Sequence, residues 1–87
     1  MDVQLDEHTL LRATERGTTR EEIVEVVTSG NENEAKNSRK AKYKIYNFEN
    51  IWNGKFYKHK RVEVVFVIEH EIIITVTVYV FYGQWEK

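Results

Sequence analysis

The chain has 87 residues, of which 41% are hydrophobic and 31% are charged, and its formal net charge is −1. This length suits one domain, at 1–87, and leaves no room for a second core. The chain has no cysteine, which excludes disulfides and thiolate metal sites and favours a reducing compartment. The N-terminal sequence MDVQLDE lacks the apolar run of a signal peptide, and no stretch reaches the ~18 apolar residues of a membrane span. We therefore expect a cytoplasmic domain that does not enter a membrane.

The small net charge conceals a strong segregation along the chain. Residues 1–35 carry nine acids and three arginines, whereas residues 36–61 carry nine lysines or arginines and one acid. Residues 62–87 carry four acids and one lysine. Such asymmetry within a small domain indicates a surface that binds something anionic. A solvated, lysine-rich β-hairpin is the alternative interpretation.

Two helices are predicted near the N-terminus. Asp6 is a favourable N-cap for a first helix at about 7–16, and Gly17 is a favourable residue to end it. Thr19, with a glutamate three residues later, forms a capping box that predicts a second helix at about 20–29. The polar stretch SGNENEAKNSRK that follows has no periodicity and is typical of a loop.

Beyond the loop, the hydrophobic period changes to two. Alternation predicts strands at about 41–48, 55–68 and 72–82, and the Asn53-Gly54 pair is a strong turn signal between the first two. The third strand is apolar on both faces, so we expect it to be central in its sheet and not at an edge.

These elements predict an α+β fold. Two N-terminal helices should pack on one face of a three- to four-stranded, mainly antiparallel sheet. Two short helices cover only one face, so the other should expose apolar side chains and bind a second copy or another protein, giving a homodimer through the open sheet face. Folding of the C-terminal YGQWEK over that face is the alternative. The residues expected on the open face are Val65, Val67, Ile73, Tyr79 and Phe81.

A spaced polar pattern opens the first predicted helix, in which His8, Arg12 and Arg16 are followed by Gly17. The chain resembles a family of short bacterial domains of unknown function that carry His-x3-Arg-x3-Arg-Gly, then a Ser/Thr-capped acidic helix and an antiparallel sheet. The resemblance spans nearly the whole chain, and the layout is similar to that of RelE/ParE/BrnT-type toxins. It implies a RelE/BrnT-like fold, an acidic antitoxin-like partner and, as in some members of that wider group, RNA as a target.

The first helix also offers a catalytic hypothesis. His8, Arg12 and Arg16 lie four residues apart and share one helical stripe. Both arginines could hold a phosphate, and His8 could transfer protons at neutral pH, with Tyr79 contributing from the sheet. RNA cleavage of this kind needs no metal and no cofactor. Alternatively, the arginines bind acidic neighbours and His8 packs at the helix start. The candidate acids are Glu15, Glu21, Glu22 and Glu25.

Two basic segments, KNSRKAKYK and KFYKHKR, interleave cations with aromatic rings. This composition is typical of surfaces that bind RNA, where cations contact phosphates and rings stack on bases; alternatively, the lysines discourage edge pairing of exposed strands. The leading hypothesis is a small toxin-like domain that contacts RNA or an acidic protein. The second hypothesis is a non-catalytic module that self-associates or binds an acidic partner. The predicted binding residues are Lys42, Lys44, Lys55, Lys58, Lys60 and Arg61.

Overall fold

The computed structural model describes residues 1–86. It confirms the α+β class, with two helices and one mixed sheet of five strands. Neither helix is long and apolar enough to cross a membrane. The elements in chain order are β1 (Asp2–Gln4), α1 (Glu7–Arg16), α2 (Arg20–Ser29), β2 (Asn31–Asn33), β3 (Lys40–Trp52), β4 (Lys55–Glu69) and β5 (Ile72–Gly83).

The five strands lie in the order β1-β5-β4-β3-β2. β1 runs parallel to β5, and the other pairs are antiparallel. The expectation of three or four strands is therefore wrong, and the sheet is mixed. The two additional strands, β1 and β2, have three residues each, which is too short for an alternating pattern to be recognised.

Local capping sets the helix boundaries. The Asp6 carboxylate accepts a hydrogen bond from the backbone N–H of His8, and the Thr19 hydroxyl accepts one from the N–H of Glu22. These side chains satisfy donors that have no partner within the first turn. Gly17 ends α1 with φ of 90°, a left-handed conformation that a residue without a Cβ adopts at little cost.

The core lies between the helices and the sheet, with α1 packed on β5 and α2 on β4 and β3. α2 contributes three apolar side chains that are almost fully buried, and Ala13 is the buried apolar residue of α1. Each large aliphatic side chain buried here stabilises the fold by about 1.5–3 kcal/mol. Besides Ala13, the buried residues of this hydrophobic core are Ile23, Val26, Val27, Val62, Val64, Phe66, Ile73 and Val78.

A bulge at Val76 reverses the faces of β5. Thr75 pairs with Phe66, whereas Thr77 pairs with Val65, so Val76 has no opposite residue on β4. One extra residue turns all later side chains to the other face. The expectation that Ile73 shares the open face is therefore wrong: Ile73 lies in the core.

Candidate functional site

The predicted catalytic residues His8 and Arg12 lie on successive turns of α1. His8 is exposed at the first turn. Arg12 Nη1 donates to both carboxylate oxygens of Glu15, at 3.0 and 3.1 Å. The charge of Arg12 is therefore balanced by an acid of its own helix, and both side chains of the pair remain partly exposed.

Arg16 and Tyr79, the other two predicted catalytic residues, are brought together. Arg16 Nη1 donates to the backbone carbonyl of Val78 at 2.6 Å. Its guanidinium carbon lies 5.2 Å from the centre of the Tyr79 ring, a cation–π distance. Arg16 thus fastens the end of α1 to β5. Arg12 and Arg16 lie one turn apart on α1 and repel each other. A carboxylate offsets this repulsion at Arg12, and a carbonyl and an aromatic ring offset it at Arg16.

Lys60, predicted to bind an anionic partner, instead binds α2 and the segment before it. Its Nζ lies 2.8 Å from a Glu22 carboxylate oxygen and 2.9 Å from the carbonyl oxygen of Gly17. The same Glu22 oxygen accepts a hydrogen bond from the Thr18 hydroxyl. Only 11% of the Lys60 side chain is exposed, so water screens this ion pair less than a surface pair.

Lys42 and Lys44 also contact α2. Lys42 Nζ donates to the carbonyl of Val27 at 3.3 Å, near the negative end of the helix dipole. Lys44 Nζ lies 3.8 Å from Glu25. That carboxylate also accepts a 2.6 Å hydrogen bond from the Tyr46 hydroxyl. Burial, and then this hydrogen bond, raise the pKa of Tyr46 well above its ordinary value.

Arg61 lies on the opposite side of the sheet. Its guanidinium carbon is 4.1 Å from the centre of the Tyr43 ring, and its Nη2 is 3.0 Å from a Glu63 carboxylate oxygen. The Asn33 amide donates to the same carboxylate. Arg61 is therefore held between a ring and an acid, and its Nε is buried without a hydrogen-bond partner.

Lys55 and Lys58 remain exposed near the turn between β3 and β4. Lys55 Nζ lies 5.6 Å from the centre of the Tyr57 ring. Ile51 and Phe56, which pair across this hairpin, are also exposed. The predicted binding residues thus separate into four part-buried cations with partners in the fold and two exposed lysines at the hairpin tip.

A second exposed basic cluster, formed by Lys36, Arg39 and Lys40, precedes and begins β3. The 13 residues of β3 span roughly 40 Å at ~3.3 Å per residue, so this cluster and the hairpin tip lie at opposite ends of the molecule. The basic segment of the sequence does not form one continuous cationic surface.

The side of the sheet opposite the helices carries an apolar strip. The register pairs Val67 with Ile74, whereas Tyr79 and Phe81 on β5 lie opposite Glu63 and Arg61 on β4. Tyr79 and Phe81 are 41% and 47% exposed, and the other members are partly exposed. We call this set the open-face strip, and its residues are Val65, Val67, Ile72, Ile74, Tyr79 and Phe81.

The C-terminal segment covers a different part of that side. The backbone N–H of Trp85 donates to Nδ1 of His59 at 3.1 Å, and His59 is only 5% exposed. Glu86 lines a shallow cleft with Tyr43 and Ile45. The C-terminal segment therefore folds over β4 and β3 on the open side of the sheet, as the alternative to a bound partner predicted. It does not cover the open-face strip. No local pattern in the sequence indicates the contact between His59 and Trp85, which are 26 positions apart.

Tyr82 joins the end of β5 to the end of α1. Its hydroxyl donates to the carbonyl of Arg16 at 2.6 Å, and its ring stacks on Trp52 at 4.8 Å. Burial, assisted by the negative charge of Glu22, raises the pKa of Tyr82 to about 12. Tyr82 and Trp52 are thus packing residues beside the turn between the helices.

Within residues 1–86, no three His, Cys, Asp or Glu side chains are grouped so that they could hold a metal ion. Comparisons of the chain with protein-family models, with curated proteins and with solved structures found no match. The surfaces described above are therefore the basis for assigning a function.

Proposed function

We propose that the chain is a non-catalytic protein-interaction domain that self-associates through the open-face strip. The observation that carries this proposal is an apolar surface with exposed aromatic residues on the side that the helices leave uncovered. β5 has no charged residue between Ile72 and Gly83. Contiguous apolar patches on small proteins mark interaction sites, and the C-terminal segment lies elsewhere on this side.

The size of the open side limits the strength of self-association. Strands ~4.8 Å apart that rise ~3.3 Å per residue occupy ~16 Å² per residue, and the 15 residues of β4 and 12 of β5 give ~430 Å² per copy. Two copies would bury ~860 Å², which is below the ~1,000 Å² of most specific interfaces and is typical of weak association. We therefore expect a dimer whose dissociation constant is micromolar or higher.

The charges beside the strip suit a second copy of the chain. Arg61 and Glu63 are neighbours on the open side of β4, where they form an ion pair within one copy. A two-fold axis through this region would bring the Arg61 of each copy towards the Glu63 of the other. The surface is therefore complementary to itself in charge as well as in apolar character.

The contacts of the predicted catalytic residues favour interaction over catalysis. Arg16 donates to a backbone carbonyl and Arg12 to Glu15, so each guanidinium already has a partner within the fold and the charge of Arg12 is balanced by a carboxylate. After the short β1, two helices precede a set of antiparallel strands, a layout similar to the one expected of RelE/BrnT-type toxins. We infer a toxin-like scaffold that retains this layout and lacks the chemistry.

Sedimentation velocity over a range from micromolar to sub-millimolar concentrations tests the proposal. We expect the mass to rise towards two chains, and Phe81→Arg to suppress that rise because it places a charge in the strip. Phe56→Arg is the matched control, since Phe56 is a similarly exposed aromatic residue at the hairpin tip. A mass of one chain throughout the range would contradict self-association.

A metal-independent ribonuclease of the toxin type is the second candidate. It is favoured by the approach of Arg16 to Tyr79, with His8 and Arg12 on the preceding turns of α1. RNA incubated with the protein in a chelator tests it. Cleavage that disappears in His8→Ala, together with RNA binding that weakens as salt rises, would replace the interaction proposal with this one.

A further inference from the structure

A cleft of about 410 Å³ lies on the helix side of the sheet, beyond the C-terminal end of α2. Its apolar lining comes from Val27, Phe66 and Ile73, which also belong to the core. Ile68 and Lys40 line it as well, and Ile68 is 43% exposed. Those three core side chains are at most 6% exposed and form the floor of the cleft, whereas most of its solvent-exposed apolar surface belongs to Ile68 and Met1.

The lengths of the elements explain why this opening exists. α2 has 10 residues and spans ~15 Å, whereas β4 has 15 residues and spans ~50 Å. The helix ends at Ser29, so it leaves the far end of β4 uncovered. Apolar side chains that a longer helix would bury remain beside the cleft.

The charge at the cleft is mainly positive. Lys40 pairs across the strands with Phe66, is exposed, and makes no ion pair within the described part of the chain. Lys42 lines the cleft and caps the carbonyl of Val27, which reduces the negative potential at the end of α2. Glu32 is the acid that lines the cleft.

We propose that this cleft binds a free monocarboxylate with an apolar tail. The tail lies against Ile68 and Met1, above the floor formed by Phe66 and Ile73, and the carboxylate pairs with Lys40. The volume falls in the range of ~300–1,000 Å³ that is usual for small-molecule sites, and such sites combine an apolar lining with a few polar groups. The cleft lies on the opposite side of the sheet from the open-face strip, so this inference is independent of self-association.

Calorimetric titration with decanoate below its micelle concentration tests the assignment. We expect saturable binding, with weaker binding of decanol and of decyltrimethylammonium, because neither carries the negative charge needed for an ion pair with a lysine. Lys40→Glu should weaken decanoate binding about tenfold, the loss expected for a hydrogen bond to a charged group. Lys58→Glu makes the same charge change at the other end of the molecule and should leave binding unchanged.

A second pair of variants tests the apolar part of the site. Ile68→Asp should weaken decanoate binding, and Ile51→Asp, at a similarly exposed position on the hairpin tip, should not. Equal binding of decanoate and decyltrimethylammonium would overturn the proposal. So would loss of decanoate binding in Phe81→Arg, because the probe would then occupy the open-face strip. Binding to anionic phosphatidylglycerol vesicles without binding of free decanoate would also overturn it, by assigning Lys40 to a lipid surface.

Discussion

The guanidinium of Arg16 donates to the carbonyl of Val78 at a part of β5 that lies beyond its pairing with β1. β1 covers only Ile72–Ile74, so the rest of β5 has no neighbouring strand on that side. Unpaired strand edges promote aggregation unless charges or covering elements protect them. β5 itself has no charge, and α1 with Arg16 supplies the protection.

Arg16→Ala should lower the free energy of unfolding by about 2 kcal/mol, because a charged hydrogen bond to a part-buried carbonyl is lost. It should also increase light scattering, since the edge of β5 is uncovered. Arg12→Ala is the control: its exposed pair with Glu15 is worth only a few tenths of a kcal/mol. Urea denaturation measures both variants, and equal losses would contradict the assigned role of Arg16.

Gly17→Ala should destabilise the protein more than Gly54→Ala. Both glycines have positive φ, at 90° and 80°, so each substitution carries a conformational cost of about 1 kcal/mol. At Gly17 a methyl group would also overlap the Tyr82 hydroxyl and press on the Trp52 ring, whereas at Gly54 it would meet no atom within 4 Å.

We therefore expect Gly17→Ala to lower the free energy of unfolding by about 3 kcal/mol and Gly54→Ala to lower it by about 1 kcal/mol. The difference comes from overpacking around Tyr82. Melting temperatures of the two variants, followed by circular dichroism, provide the comparison. Similar melting temperatures would mean that Tyr82 moves aside without cost.

The parts of the fold set by neighbouring residues could be predicted from the sequence. Asp6 and Thr19 cap the helices, and Gly17 ends α1, as their positions indicated. Each of these residues acts on backbone groups within one turn, so the relevant partners are adjacent in the chain. The turn at Asn53-Gly54 joins β3 to β4 for the same reason.

The parts set by distant partners could not be predicted. β1 has three residues, and its partners on β5 lie some seventy positions later. The bulge at Val76 changes the face of every residue after it, but a run of β-branched residues has no local sign of a bulge. Alternation places Lys42 and Lys60 on one face of the sheet. It does not indicate that the acidic helix α2 packs on this face.

Lys60→Met should cost more stability than Lys58→Met. Removing the Lys60 ammonium leaves Glu22 without its cation and the Gly17 carbonyl without its donor, in a site where water compensates only in part. We expect a loss of about 2 kcal/mol for Lys60→Met. Lys58 is exposed and should tolerate the change within ~0.5 kcal/mol. Urea denaturation at neutral pH measures the free energy of unfolding of both variants. An unchanged value for Lys60→Met would show that the ion pair between Lys60 and Glu22 contributes nothing to stability.

The Tyr82 hydroxyl makes stability fall at alkaline pH. The folded protein holds this proton up to a pKa of about 12, whereas an unfolded tyrosine releases it near ~10. Between these values the unfolded state binds fewer protons than the folded state, so the free energy of unfolding decreases as pH rises and is unaffected by this group below pH ~10.

Tyr82→Phe should cost about 1 kcal/mol at pH 8, because the hydrogen bond to the Arg16 carbonyl is lost. The difference from the unsubstituted protein should shrink above pH ~10 and reverse sign towards pH ~12, since phenylalanine has no proton to release. The raised pKa of Tyr46 affects both proteins equally and leaves this difference unchanged. Tyr79→Phe, which removes an exposed phenol on the open-face strip, is the control. Urea denaturation at several pH values measures the difference, and a difference that stays constant from pH ~8 to ~12 would contradict a part-buried Tyr82 hydroxyl that stays protonated in the folded protein.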